Sequence, residues 1–148
     1  MGFNTSLAAF NISASGLSAE RLRMEVVANN IANAATTRTP EGGPYRRKDV
    51  VFETALGPDG IGPHGPSASS GLAGVRTIGI VEDSSEFIRK FEPGHPDADP
   101  DVFVTLPNVN LPIEMVNLIT ATRAYEANLK AAQSFVNMNQ AALSVLKG

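Results

Sequence analysis

The stretch "PGHPDADPD" places His95, Asp97, Asp99 and Asp101 at alternate positions. An imidazole and three carboxylates so spaced could hold a divalent cation through nitrogen and oxygen ligands. Set against a calcium-binding EF-hand loop, Asp97, Asp99 and Asp101 match the first three ligand positions. The glycine that such a loop requires would fall at Val102, and the bidentate glutamate at Asn108, so the match fails. Pro100 stiffens the segment further. The plainer reading is a polar loop held by proline and Asx turns. A metal-binding module or metal-dependent enzyme using the His95–Asp97–Asp99 loop stands as the alternative reading of function.

Other chemistry is thinner still. His64, in "GPHGPS", has only Asp59 as an acidic neighbour and reads as a loop histidine. Neither histidine suits a serine–histidine–aspartate relay, and the chain carries no P-loop and no GxGxxG. Glu82, Asp83 and Glu86 could pair carboxylates, but such clusters are ordinarily solvated surface. The chain has no cysteine, which excludes disulfides, thiolate metal sites and cysteine nucleophiles. A net charge of −3 and a pI of about 5.3 lack the electrostatic footprint of a nucleic-acid binder. The one basic run, Arg46-Arg47-Lys48, reads as a solvated loop. No catalytic residue, metal ligand, cofactor or small-molecule substrate is therefore assigned, and no nucleic-acid partner is expected.

The elements that would position any site come from punctuation. The 148 residues, 43 % hydrophobic and 18 % charged, fit one folded domain or one with a small insertion. Residues 3–36 contain one glycine and no proline; residues 40–107 hold nine of the ten prolines and ten of the thirteen glycines. Residues 113–147 contain neither. Three segments follow: an N-terminal helix within 1–36, a turn-rich β element over 37–110 and a C-terminal helix over 111–148. "DVVF", "GVRTIGIV", "FIRKF" and "VFVTL" are the strand candidates, and the Gly/Pro/Ser-rich stretch 57–74 reads as a flexible loop. No signal peptide and no membrane span are visible, so a route out of the cytoplasm would need no cleaved signal.

The N-terminal helix is expected from about Ser6 to Asn33, capped by Thr5 or Ser6. Phe3, Phe10, Leu17, Met24 and Ile31 recur every seven residues, with Leu7, Ala14 and Ala28 in the second seam position and Arg21 as the exception. Gly16 makes sense where another backbone comes close or the helix bends. The C-terminal helix is expected from Pro112 to Leu146, with Glu114 suiting the dipole of its first turn. Its seam is Met115, Leu118, Thr122, Tyr125, Leu129, Ala132, Val136, Asn139, Leu143 and Leu146. A second row runs through Ala121, Ala124, Ala131, Phe135, Met138, Ala142 and Val145. A helix with two apolar stripes is buried on more than one side, and one partner helix cannot supply that; other chains are the expected supplier.

One stretch resists a solvated reading. After Glu25, "VVANNIANAATT" carries no charge over twelve residues, and Asn29, Asn30 and Asn33 crowd its centre. The residues "SASGLSAERLRMEVVANNIANAATTRTPEGGPYRRKDVVF" resemble the N-terminal signature of the bacterial flagellar basal-body rod protein family. "GHPDADPDVFVTLPNVNLPIEMVNLITATRAYEANL" is similar to a signature of its proximal-rod members. Val102 and Phe103 stand where that group tends to have glycine and tyrosine, and Phe135 where lysine is common.

The resemblance implies a mainly α fold with a small β element. Long terminal helices would pair as an antiparallel coiled coil, joined by a Gly/Pro-rich middle of β-hairpin type. It implies a structural subunit of the proximal rod, the drive shaft of bacterial motility. Such a subunit leaves the cytoplasm through the flagellar type III export gate and polymerises helically in the periplasmic part of the basal body. Its partners would be its own copies, other rod proteins, and the MS-ring and rod-adaptor proteins. Phe3 and Leu7 look like the export motif of such substrates. The expected assembly residues are Phe3, Leu7, Phe10, Leu17, Met24, Asn29, Asn30, Ile31 and Asn33 on the first helix. On the second they are Met115, Leu118, Tyr125, Leu129, Phe135, Val136, Met138, Asn139, Leu143 and Leu146. On this reading the uncharged asparagines face neighbouring subunits, hydrogen-bonding without the desolvation cost of buried charge.

Overall fold

The computed structural model describes the backbone of residues 2–56 and 72–147, and the side chains of residues 8–55 and 73–145. His64 and most of the expected loop at 57–74 lie outside the described residues. So do the side chains of Phe3, Leu7 and Leu146.

The chain is mixed α and β. Helix α1 runs Gly2–Ala32 and α2 runs Leu111–Lys147. Between them come β1 (Lys48–Leu56), β2 (Leu72–Glu82), β3 (Ile88–Phe91) and β4 (Phe103–Leu106), paired as two two-stranded sheets, β1 with β2 and β3 with β4. All four expected strands are present. Helix α1 begins before Thr5 and Ser6, so neither caps it. The residues form two compact units, one of 1–22, 51–79 and 121–148, the other of 23–50 and 80–120.

In the first unit, α1 and α2 meet through small residues. Ser13, Gly16 and Ala19 are buried on α1, and Ala121 and Ala132 on α2. A Cβ added at Gly16 would lie 2.8 Å from the Asn128 side-chain nitrogen. The close neighbour anticipated at Gly16 is thus a side chain of α2 rather than a backbone. Gly74, with a φ of 108°, lets β2 approach α1 so that the Val75 amide donates to Ser15 Oγ at 3.0 Å. Arg76 and Glu53 pair on the sheet surface.

The second unit has a core of β-branched side chains: Val26 and Val27 from α1, Val50 from β1, Val104 from β4, and Val109. Each such valine contributes roughly 1.5–3 kcal/mol by leaving water. Strands β3 and β4 pair antiparallel from Ile88 opposite Leu106 to Phe91 opposite Phe103. The turn joining them puts Val102 at a φ of 69°, a left-handed conformation that its β-branched side chain disfavours. Asn110 caps α2: its side-chain oxygen accepts the Ile113 amide at 3.2 Å. That cap was not anticipated.

The buried stripe of α1, through Ser13, Gly16, Ala19, Val26, Val27 and Asn30, departs from the expected seam. It lies roughly a third of a turn away from Phe10, Leu17, Met24 and Ile31. On α2 one expected row holds, since Leu118, Tyr125, Ala132 and Asn139 are buried or half-buried. Its companion row is displaced by one residue, to Glu114, Ala121, Asn128 and Phe135. Met115, Leu129, Val136 and Leu143 are left exposed.

Candidate functional site

Glu114 is the only charge between Asp101 and Arg123, set in the apolar run "LPIEMVNL". Position four of α2 turns it into the second unit, where its side chain is 1 % exposed. A buried carboxylate must be paired and hydrogen-bonded to be tolerated. Arg47 Nε donates to Glu114 Oε1 at 2.9 Å, and Asn30 Nδ2 donates to Oε2, also at 2.9 Å. The Asn117 amide adds a longer bond of 3.3 Å.

Asn30 is completely buried, and its amide is fully satisfied. Besides Glu114, its nitrogen donates to the Lys48 carbonyl at 2.8 Å. Its oxygen accepts the Lys48 amide and the Tyr45 hydroxyl, each at 3.0 Å. Because Lys48 both donates and accepts, the side chain pairs with the start of β1 as a neighbouring strand would. The amide is the right group for this: it offers a donor and an acceptor side by side and carries no charge. Asn30 therefore does not face another subunit, and that expectation is corrected. Asn29 and Asn33 donate to carbonyls one turn back in their own helix, Glu25 at 3.2 Å and Asn29 at 2.9 Å.

In the basic run Arg46 and Arg47 are likewise not solvated, while Lys48 is exposed at the start of β1. Arg47 also reaches Asp49 at 3.1 Å and Asp83 at 3.3 Å. Burial works to lower its pKa, but the hydrogen bonds to Glu114 and Asp49 outweigh it, and the guanidinium is held above its ordinary value. Arg46 stacks over Phe87, 4.1 Å from the ring centre, and donates to the carbonyls of Asp83 and Ser85. Asn108 ties the same corner: it accepts the Arg47 amide at 2.8 Å and donates to Ser85 Oγ at 2.8 Å. Burial foremost, then the charges of Glu114 and Glu82, push the Tyr45 phenol up. Hydrogen bonds from the backbone and side chain of Ser85, then the Arg47 charge, hold Asp83 below the usual carboxylate range despite its partial desolvation.

The His95–Asp97–Asp99 loop has several of its ligand-capable atoms committed elsewhere. His95 Nδ1 accepts the Asp97 amide at 3.1 Å, and Thr37 donates to Asp97 at 2.8 Å. Asp99 Oδ1 accepts the amides of Asp101 at 3.0 Å and Phe103 at 2.9 Å, and Arg89 holds its other oxygen. The Asp99–Asp101 bond is an Asx turn in the β3–β4 connection. Among the described residues no group of three His, Cys, Asp or Glu could hold a metal ion.

The expected assembly residues divide. Leu17, Met24 and Ile31 are half-buried on α1, while Phe10 and Asn29 are exposed. On α2, Leu118, Tyr125, Phe135 and Asn139 are half-buried; Met115, Leu129, Val136, Met138 and Leu143 are exposed. Ile113, Val116 and Ile119, which the heptad reading left out, are exposed as well, each by more than half. Large apolar side chains are thus exposed over Leu111–Ile119 and again over Leu129–Val145. The Arg47–Glu114–Asn30 clasp was also missed. Its signal was available in the lone carboxylate of an apolar helix start.

Two family models match the chain: "Flagella basal body rod protein" over residues 10–38, and "Flagellar basal body rod FlgEFG protein C-terminal" over residues 103–145. The chain is 44 % identical over 155 positions to the flagellar basal-body rod protein FlgC of Borreliella burgdorferi, covering all of both chains. It is 39 % identical to the FlgC of Bacillus subtilis, covering 97 % of this chain and 99 % of that one. Against the FlgC of Salmonella typhimurium the figures are 35 %, 87 % and 89 %.

Proposed function

The chain belongs to the flagellar basal-body rod protein family, and from that membership we propose that it is a structural subunit of the rod in the basal body and not an enzyme. The finer reading is a proximal-rod subunit that polymerises helically, with α1 and α2 packed as an antiparallel coiled coil. It is exported by the flagellar type III apparatus, with Phe3 and Leu7 as its export motif. Its partners are its own copies, other rod proteins, and the MS-ring and adaptor proteins at the base. In the periplasm it forms part of the drive shaft.

The observation that supports assembly is the number of large apolar side chains left exposed on α2. Leu111, Ile113, Met115, Val116, Ile119, Leu129, Val136, Met138, Leu143 and Val145 are all exposed in the single chain. So many large apolar side chains left exposed on one helix are the kind of surface that meets another protein. Heterologous contacts that do not close into a ring build helical assemblies. The test is an in-frame deletion in the source bacterium, with swimming scored and basal bodies imaged by electron microscopy. Membrane rings without a completed rod, restored by the gene in trans, are expected. Intact flagella and normal swimming would overturn the reading.

A further inference from the structure

We infer that the Arg47–Glu114–Asn30 clasp is a positioning device: it fixes the rotation of the first turns of α2 so that Ile113, Met115, Val116 and Ile119 present one apolar face. The inference rests on the rod reading for what that face is used for, but the clasp itself is a property of the second unit.

Three facts carry it. Glu114 and Asn30 are both completely buried, and their hydrogen bonds run to three separate stretches: α1, the start of β1 and α2. A buried ion pair is a poor means of gaining stability, because apolar residues of like volume do as well or better; its directional bonds instead fix one arrangement. The residues beside Glu114 are the apolar ones left uncovered: Ile113 is 55 % exposed, Met115 50 %, Val116 61 % and Ile119 56 %. Turning α2 about its axis by one residue would remove Glu114 from its partners and bury part of this row. The clasp forbids that turn, whereas an apolar contact would slide.

The test uses the purified full chain and the deletion strain together. The double variant Arg47→Met, Glu114→Leu is expected to melt at or near the wild-type temperature. Its amide exchange over residues 113–119 should rise at least tenfold, with β3 and β4 unchanged. The same variant should fail to restore swimming. Glu114→Gln keeps one oxygen for Arg47 but turns its own NH2 toward the Asn30 amide nitrogen, a second donor, so exchange over residues 113–119 should rise here too, by less than in the double variant. Unchanged exchange over α2 in a folded double variant would overturn the inference, as would wild-type exchange in a folded Glu114→Gln chain. Should the double variant not fold, Glu114→Asp, one methylene shorter, replaces it with the same expected and contrary results. A deletion strain that swims would sink the rod reading, while the exchange measurement would still decide the clasp.

Discussion

Helix α2 is held in two different ways along its length. Over Leu111–Thr120 it is fastened by a buried carboxylate, an arginine and an asparagine whose bonds each have a direction. Over Ala121–Lys147 its most buried residues are small, Ala121 and Ala132, with Asn128 lying against Gly16 and Tyr125 and Phe135 half-buried. Directional bonds set rotation and register, and a single missing atom leaves a buried charge without its partner. Small-residue packing sets mainly the distance between helices and tolerates adjustment. The two stretches should therefore fail differently when altered.

The largest difference is expected at Glu114→Ala, which takes from Arg47 its buried partner, leaving Asp49 and Asp83, and strands one proton of Asn30. Breaking a buried pair from one side costs about 3–5 kcal/mol, and urea unfolding of the purified chain would read it. In the small-residue stretch, Gly16→Val should cost about 1–3 kcal/mol by overpacking. Gly16→Ala should be close to neutral, because its helix propensity gain offsets a contact with the movable Asn128 amide. Equal losses at Glu114→Ala and Gly16→Ala would erase the contrast.

A third change sharpens the account of the second unit. Val102 is held at a φ of 69° by the turn around Asp99, where the family resemblance places glycine. Val102→Gly should stabilise the chain by about 0.5–1 kcal/mol, after allowing for the entropy that glycine adds to the unfolded state. A loss of stability would mean the valine side chain packs better than its backbone suggests. The smallest effect is expected from acid. Hydrogen bonds from the Phe103 amide, then Arg89, hold Asp99 below the usual carboxylate range, as Ser85 and then Arg47 hold Asp83. Depressed carboxylates stabilise the fold fully above their unfolded value, about 4, and the contribution fades as pH falls through the folded value. Amide exchange in the β3–β4 turn should therefore quicken below about pH 4 and be flat from 5 to 7.

The elements were legible in the sequence because their boundaries are written in glycine, proline and strand-forming runs. Both helices and all four strands lie within a few residues of expectation. The faces were less legible. Leu17, Met24 and Ile31 drew the eye as large apolar side chains at heptad spacing, but α1 buries Ser13, Gly16 and Ala19 instead. Hydrophobic periodicity identifies a stripe without saying whether the chain itself or another covers it. The clasp was invisible for a different reason: Asn30, Arg47 and Glu114 are separated by 17 and 67 residues, and only folding brings them together. Polar residues in a charge-poor stretch looked like an outer surface, and one of them proved to be the centre of the second unit.

On the rod reading, the exposed apolar side chains of α2 serve assembly rather than the fold of the single chain. The direct measurement is swimming and basal-body imaging of the deletion strain carrying Leu129→Asp or Val136→Asp, alongside thermal melting of both purified variants. Both side chains are about 40 % exposed in the single chain. Melting close to wild type, normal synthesis and rings without a completed rod are the result predicted. Normal swimming with either aspartate in place would contradict it.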